Sequence, residues 1–75
     1  MQRMYPRVLP YVGQSVTVSF FAGRAAGTVV CVDSDLQSLE VLTEEDELIR
    51  FALQPTTGRF QSDGQTGPRL YFNGE

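Results

Sequence analysis

Histidine, lysine and tryptophan are absent from this chain of 75 residues, and cysteine occurs once. Without histidine the chain lacks the usual general base and the commonest metal ligand. Its serine and threonine hydroxyls have neither histidine nor lysine to activate them, which excludes a hydrolase triad within one chain. No glycine-rich loop precedes a predicted helix, so nucleotide-binding loops of the Walker and Rossmann kinds are excluded as well. We expect neither an enzyme nor a bound cofactor.

The single cysteine, Cys31, cannot form an internal disulfide, which fits a reducing cytoplasm. It stands in the apolar run 29–32, where a lone cysteine is most often a small buried side chain, and we expect it to be buried. No apolar run approaches the roughly 20 residues that a membrane-spanning helix needs. The first residues lack the apolar segment of a signal peptide. These features predict a cytoplasmic protein with no membrane partner.

All six basic residues are arginine. Planar arginine side chains suit bidentate recognition of phosphate or carboxylate, but the same usage also arises from coding bias in a GC-rich genome. The formal net charge is −3, which disfavours non-specific binding to nucleic acid. The charges are unevenly placed. Residues 1–32 contain three arginines and no acid, whereas residues 33–47 contain seven acids and no base.

Apolar residues alternate with polar ones through the middle of the chain, a pattern typical of half-buried strands. Turn-forming residues separate the apolar runs. The pattern predicts five or six short strands, over residues 15–20, 27–32, 38–42, 47–53, 59–61 and 69–72, with a turn over 22–24. The side chains that we expect to face inward are Val16, Val18, Phe20, Ile49, Phe51 and Leu53.

So many short strands in so few residues have few ways to avoid bare sheet edges, and a small barrel is the simplest. We therefore expect one all-β domain over 1–75, with antiparallel strands and a loose tail over 73–75. Pro6 and Pro10 disfavour helix, which predicts an extended arm over 1–12. One alternative stays open: a helix over 44–53, capped by Thr43.

Glycine and valine spacing in the first half resembles the opening motif of the Sm-like family. The matching residues are Gly13-x-x-Val16-x-Val18, Gly27-x-Val29-x-x-x-Asp33-x-x-Leu36 and Leu39-x-Val41. Ile49-Arg50-Phe51 stands where that family has a strand resembling Ile-Arg-Gly. The resemblance implies a small barrel that binds RNA as a ring. It also implies that Gln37, at the position of the family's asparagine, and Arg50 contact RNA.

The same skeleton, Gly13-x-x-Val16-x-Val18, Gly23 and Gly27-x-Val29, also resembles the KOW and SH3-like barrels of ribosomal and elongation proteins. This second resemblance implies a fold more than a function, because the skeleton meets the needs of any tightly bent barrel. Both resemblances agree on a small SH3-like or Sm-like barrel of five to six short strands.

Four consecutive acids, Glu44, Glu45, Asp46 and Glu47, occupy a predicted hairpin turn. They lack the alternating ligand spacing and the glycine of an EF-hand loop, so we expect a solvated turn and no metal site. A second interpretation is that the cluster mimics phosphate and docks on a basic surface of a partner protein. Such binding weakens steeply as salt rises.

Aromatic residues are numerous for so small a core. Phe21 breaks the alternation of the strand before it, and is either a core residue at the strand end or an exposed ring. If Phe21, Tyr11 or Tyr71 is exposed near Arg24 or Arg69, the pair can stack on nucleotide bases. The same residue types are also enriched in protein interfaces. The sequence leaves both readings open.

The function that the sequence favours is a non-catalytic interaction module, a small cytoplasmic accessory or regulatory protein that binds another protein through one barrel face. The alternative is an RNA-binding Sm-like protein that acts as an oligomeric ring. The candidate contacts to RNA or to a partner are Arg24, Gln37, Arg50, Phe21 and Tyr71, beside the acidic hairpin. An exposed edge at 69–72 would favour a homo-oligomer, either a dimer or a ring.

Overall fold

The computed structural model describes Pro6 and residues 8–62 and 67–73. These residues form a closed barrel of six antiparallel strands, which confirms the all-β prediction. The strands are β1 (Ser15–Phe20), β2 (Gly23–Val32), β3 (Ser38–Thr43), β4 (Leu48–Leu53), β5 (Phe60–Gln61) and β6 (Arg69–Phe72). Each strand pairs with the next one along the chain, and β6 returns to pair with β1.

One face of each strand lies in a single apolar core, as the alternation predicts. Phe20 and Ile49, two of the residues expected inside, are half-buried and pack against its margin. The other four predicted core residues are buried. The largest fully buried side chains are Phe51, Phe60, Leu39, Leu70, Val16, Val18, Val29 and Val41.

The turn between the first two strands is shorter than predicted. Phe20 pairs with Gly23, so Phe21 and Ala22 alone form the loop, a two-residue hairpin connection. The prediction of a turn over 22–24 is therefore wrong, and β2 begins at Gly23. Three of the four residues that extend β2 beyond its predicted start, Gly23, Ala25 and Ala26, have small side chains. At Gly27 a Cβ atom would lie only 2.7 Å from Cγ1 of Val41, and this residue pairs with both Val16 of β1 and Thr43 of β3.

Cys31 is exposed, which contradicts the prediction that it is buried. The pairing of β2 with β3 shifts by one residue between Val29 and Cys31, so that Val30 is the extra residue of a β-bulge. Beyond the bulge, Cys31 lies opposite Glu40 on the outer face. Alternation with a period of two predicts which side chains face inward only while the strand pairing is regular. The bulge interrupts the pairing, so the sequence alone misplaced the Cys31 thiol.

The helical alternative for residues 44–53 is wrong, because β4 occupies Leu48–Leu53 and pairs with β3 from Leu48 to Ala52. The described part of the arm contains neither helix nor strand. The rest of the predicted arm, residues 1–5 and 7, and residues 74–75 of the predicted tail lie outside the described residues. No helix in the described part of the chain is long and apolar enough to cross a membrane.

The barrel closes through its shortest strand. Two residues of β5 pair with Ala52 and Leu53 at the end of β4, and one of them, Gln61, pairs with Arg69 at the start of β6. On the core side of this seam the rings of Phe60 and Phe72 meet edge to face, with their centroids 6.1 Å apart. The outer surface beside the seam carries Arg69 and the aromatic rings of Phe21 and Tyr71.

Candidate functional site

Two arginines flank a serine on the outer face of the barrel. Ser19 on β1 lies opposite Arg24 on β2 and opposite Arg69 on β6. Residues directly opposite one another in an antiparallel sheet share a face, and strands lie about 4.8 Å apart, so the two arginine backbones are roughly 10 Å apart. Both arginines are exposed. Neither forms a salt bridge with any residue that the structure describes.

An open groove of about 620 Å³ runs beside this row, and Phe21, Arg69 and Tyr71 are among its walls. Phe21 projects from the two-residue turn and is 110% exposed. The lining residues are Ser19, Phe20, Phe21, Ala22, Gln61, Gly67, Pro68, Arg69 and Tyr71. A single exposed phenylalanine is ordinary, but this ring shares its groove with a second aromatic ring and a cation. We call this site the arginine–aromatic groove.

Arg59 adds a third cation to the same surface. Its guanidinium carbon lies 5.4 Å from the centroid of the Tyr71 ring, within the range of a cation–π contact. A neighbouring groove, which includes Thr57 and Arg59, shares Gln61, Arg69 and Tyr71 with the first. Tyr71 is therefore held from one side by a cation while it lines the wall of the arginine–aromatic groove.

The four acids of residues 44–47 form the turn between β3 and β4, and all four are exposed. The Thr43 hydroxyl oxygen accepts the backbone N–H groups of Glu45 and Glu47 at 3.3 and 3.2 Å. Asp46 has a left-handed φ of 62°, a conformation that aspartate tolerates better than most residues. A carboxylate oxygen of Glu44 accepts the N–H of Ala26 on β2 at 3.3 Å.

These contacts fix the conformation of residues 44–47 before any partner binds. We call these residues the acidic turn, and the end of the hairpin that they form its tip. Glu44 is bound to the neighbouring strand, whereas Glu45, Asp46 and Glu47 point carboxylates at solvent. Among the described residues no three acidic or cysteine side chains come close enough together to hold a metal ion. The acidic turn and the arginine–aromatic groove are thus two separate surfaces of opposite charge.

Arg50 is engaged in a polar cluster of its own. Its Nη2 lies 3.3 Å from a carboxylate oxygen of Asp33 and 3.1 Å from the hydroxyl oxygen of Ser38. The Ser38 hydroxyl in turn donates to the same Asp33 oxygen. The cluster joins the β2–β3 loop to the outer face of β4, which is a sufficient structural reason for the arginine.

The candidate RNA contacts Gln37, Arg50 and Arg24 lie in two places. Gln37 lies in the β2–β3 loop, where its backbone N–H donates to Asp35 at 3.0 Å and its carbonyl accepts from Leu53 at 2.8 Å. This is the same end of the barrel as the Arg50 cluster. Arg24 is at the other end of β2, beside the arginine–aromatic groove. The structure therefore groups Arg24 with Phe21 and Tyr71, not with Gln37 and Arg50.

Sequence reasoning missed the contribution of Ser19, Gln61 and Arg59 to this site. The alternation in β6 is a usable signal, because Arg69 and Tyr71 are two residues apart on one strand and must share a face. No comparable signal relates Ser19 to Arg69, since their pairing joins the first strand to the last.

No protein-family model matches this chain, and neither a curated protein nor a solved structure matches it.

Proposed function

We propose that the protein is a non-catalytic interaction module that binds another protein through the arginine–aromatic groove. The observation that carries the proposal is the exposed ring of Phe21 beside Tyr71 and Arg69, an arginine without a salt bridge in the described structure. Phenylalanine, tyrosine and arginine are enriched in protein interfaces, and tyrosine and arginine are also enriched among the few residues that supply most of the binding energy.

The charge of the chain supports a protein partner over a nucleic acid. A formal net charge of −3 repels the phosphate backbone at long range, and non-specific binding of nucleic acid depends on neutralising phosphates. Arg69 in the groove and Arg24 across Ser19 from it suit a carboxylate-bearing partner, since arginine pairs with carboxylate in a bidentate geometry.

We further propose that the barrel is of the SH3-like or Sm-like type and that the protein works in the cytoplasm. The closed antiparallel barrel with one long, bent strand supports the first proposal. The exposed thiol of Cys31 supports the second, because free exposed cysteines persist best in a reducing compartment.

RNA binding remains the second candidate, and one observation favours it. The Phe21 ring and the Tyr71 ring under Arg59 offer aromatic and cationic surfaces of the kind on which unpaired bases stack. On this account RNA would contact the groove, and Gln37 and Arg50 would be dispensable.

Capture experiments with matched variants test both candidates. The immobilised chain is exposed to nuclease-treated lysate, and bound proteins are compared for the parent, Phe21→Ala, Arg69→Gln and the control Arg50→Gln. We expect at least one captured protein, a further copy of this chain included, that both groove variants lose and the control retains. Capture that is indifferent to both groove variants contradicts the proposal. Labelled oligouridine and oligoadenine, followed by fluorescence anisotropy, test the alternative: binding that only the groove variants lose would assign the groove to RNA.

A further inference from the structure

We infer that the protein partner of the arginine–aromatic groove is a second copy of this chain, which inserts its acidic turn. The inference rests on the proposed function, because it names the occupant of the same groove. It follows from complementary charge, from the fixed conformation of the acidic turn and from the placement of the two surfaces on one barrel.

Charge complementarity is the first step. Arg24 and Arg69 form no salt bridge within the described structure, and Arg59 adds its charge at Tyr71. On the acidic turn, Glu45, Asp46 and Glu47 are exposed. A second copy therefore supplies the carboxylates that the arginine forks of the groove are suited to bind.

The shape of the tip is the second step. Backbone and Thr43 hydroxyl contacts hold the turn in one conformation, so inserting it costs little conformational entropy. Immediately behind the tip, Leu42 and Leu48 lie opposite each other on the outer face, 38% and 57% exposed. In the inserted position these two side chains would cover the Phe21 ring and remove apolar surface from water.

The acidic turn does not reach the arginine–aromatic groove of its own chain. The contact between Glu44 and Ala26 ties the acidic turn to β2, whereas the groove lies on the far side of β1, at its seam with β6. Binding between copies therefore takes one of two forms: two copies exchange tips in a symmetric dimer, or copies add head to tail and each added copy leaves one tip and one groove free. Head-to-tail contacts continue until the assembly closes into a ring, or they form a chain.

Absolute mass by light scattering tests the inference over a range of protein concentrations, at about 50 mM and about 500 mM salt. At low salt we expect a mass above the 8.3 kDa of one chain, which falls toward one chain at high salt. Arg69→Glu and the double variant Glu45→Arg, Glu47→Arg should each weaken self-association at least tenfold, whereas Arg50→Gln should leave it unchanged. Circular dichroism confirms that each variant is folded.

Mixing the two reversed variants gives the sharpest result. The first variant keeps an acidic turn and the second keeps an intact groove, so an equimolar mixture should recover a complex that neither forms alone. A chain that stays monomeric at low salt up to about millimolar concentration overturns the inference. So does association that survives both reversals, or a mixture that recovers nothing. Groove-dependent capture of an unrelated protein by a monomer would overturn the inference and leave the proposed function standing.

Discussion

Phe51 and Phe21 carry the same side chain in opposite environments, 0% and 110% exposed. Truncation of Phe51 to alanine leaves a cavity in the core and should cost about 3–5 kcal/mol, which approaches the whole stability of a domain this small. Phe21→Ala should change stability by less than about 0.5 kcal/mol. Urea unfolding followed by circular dichroism measures both. Equal losses for the two variants would contradict the burial that separates core from groove.

Glycines give a second matched pair. Ala at position 27 would place its Cβ 2.7 Å from Cγ1 of Val41 and 3.2 Å from the Leu42 carbonyl oxygen, whereas nothing lies within 4 Å of a Cβ at Gly23. We expect Gly27→Ala to lower the free energy of unfolding by about 1–3 kcal/mol, because β2 and β3 must move apart to make room for the added Cβ atom. Gly23→Ala should be neutral or slightly stabilising. Chemical denaturation measures the free energy of unfolding of both variants. A Gly27→Ala variant as stable as its parent would show that β2 and β3 can separate at no cost.

At the scale of the element, the acidic turn depends on one hydroxyl. Thr43→Val keeps the buried volume but removes the oxygen that accepts the Glu45 and Glu47 N–H groups, and should cost about 1–2 kcal/mol. Asp46→Gly should instead preserve or raise stability, because glycine adopts the left-handed φ of 62° without strain. Thermal unfolding of the two variants compares them. A Thr43→Val variant as stable as its parent would mean that the strand pairing alone holds the turn.

The turn also links stability to the proposed interaction. If the tip is preformed, Thr43→Val should weaken self-association even though it removes no charge, since the inserted carboxylates would no longer be held in place. Light scattering at low salt measures this effect, with Asp46→Gly, which removes a carboxylate but keeps the turn, as the comparison. An unchanged mass distribution in Thr43→Val would show that charge, without a fixed tip, is sufficient.

At the scale of the whole molecule, the barrel is unevenly closed. β1, β2 and β3 pair over most of their length, but β5 contributes two pairs to β4 and one to β6. Local opening should begin where the fewest backbone hydrogen bonds hold the sheet. In native-state hydrogen exchange we expect the Ser62 and Gln54 amides to exchange earlier than those of Val18 and Val41. Uniform protection would show that the barrel opens only as one unit.

Much of this architecture could be predicted from neighbouring residues. Alternation at Val16 and Val18 identified β1, and the acids at 44–47 identified a turn, because both features depend on contacts a few residues apart. Phe21 could be recognised only as a residue that breaks the alternation, and its sequence position did not show whether the ring is buried or exposed. The bulge at Val30 defeated local reasoning, since the extra residue is defined by the partner strand and not by its own side chain.

The class of fold, the position of the acidic turn and the lack of histidine could all be read from the amino-acid sequence. Those properties follow from residue identity and short-range periodicity. Three features could be known only from the folded chain: Arg69 and Tyr71 line one groove with Phe21, Arg24 lies at the other end of β2 from Gln37, and Cys31 faces solvent. The physical reason is that strand register joins residues as distant as Val16 and Phe72, and register is set by core packing across the whole closed barrel.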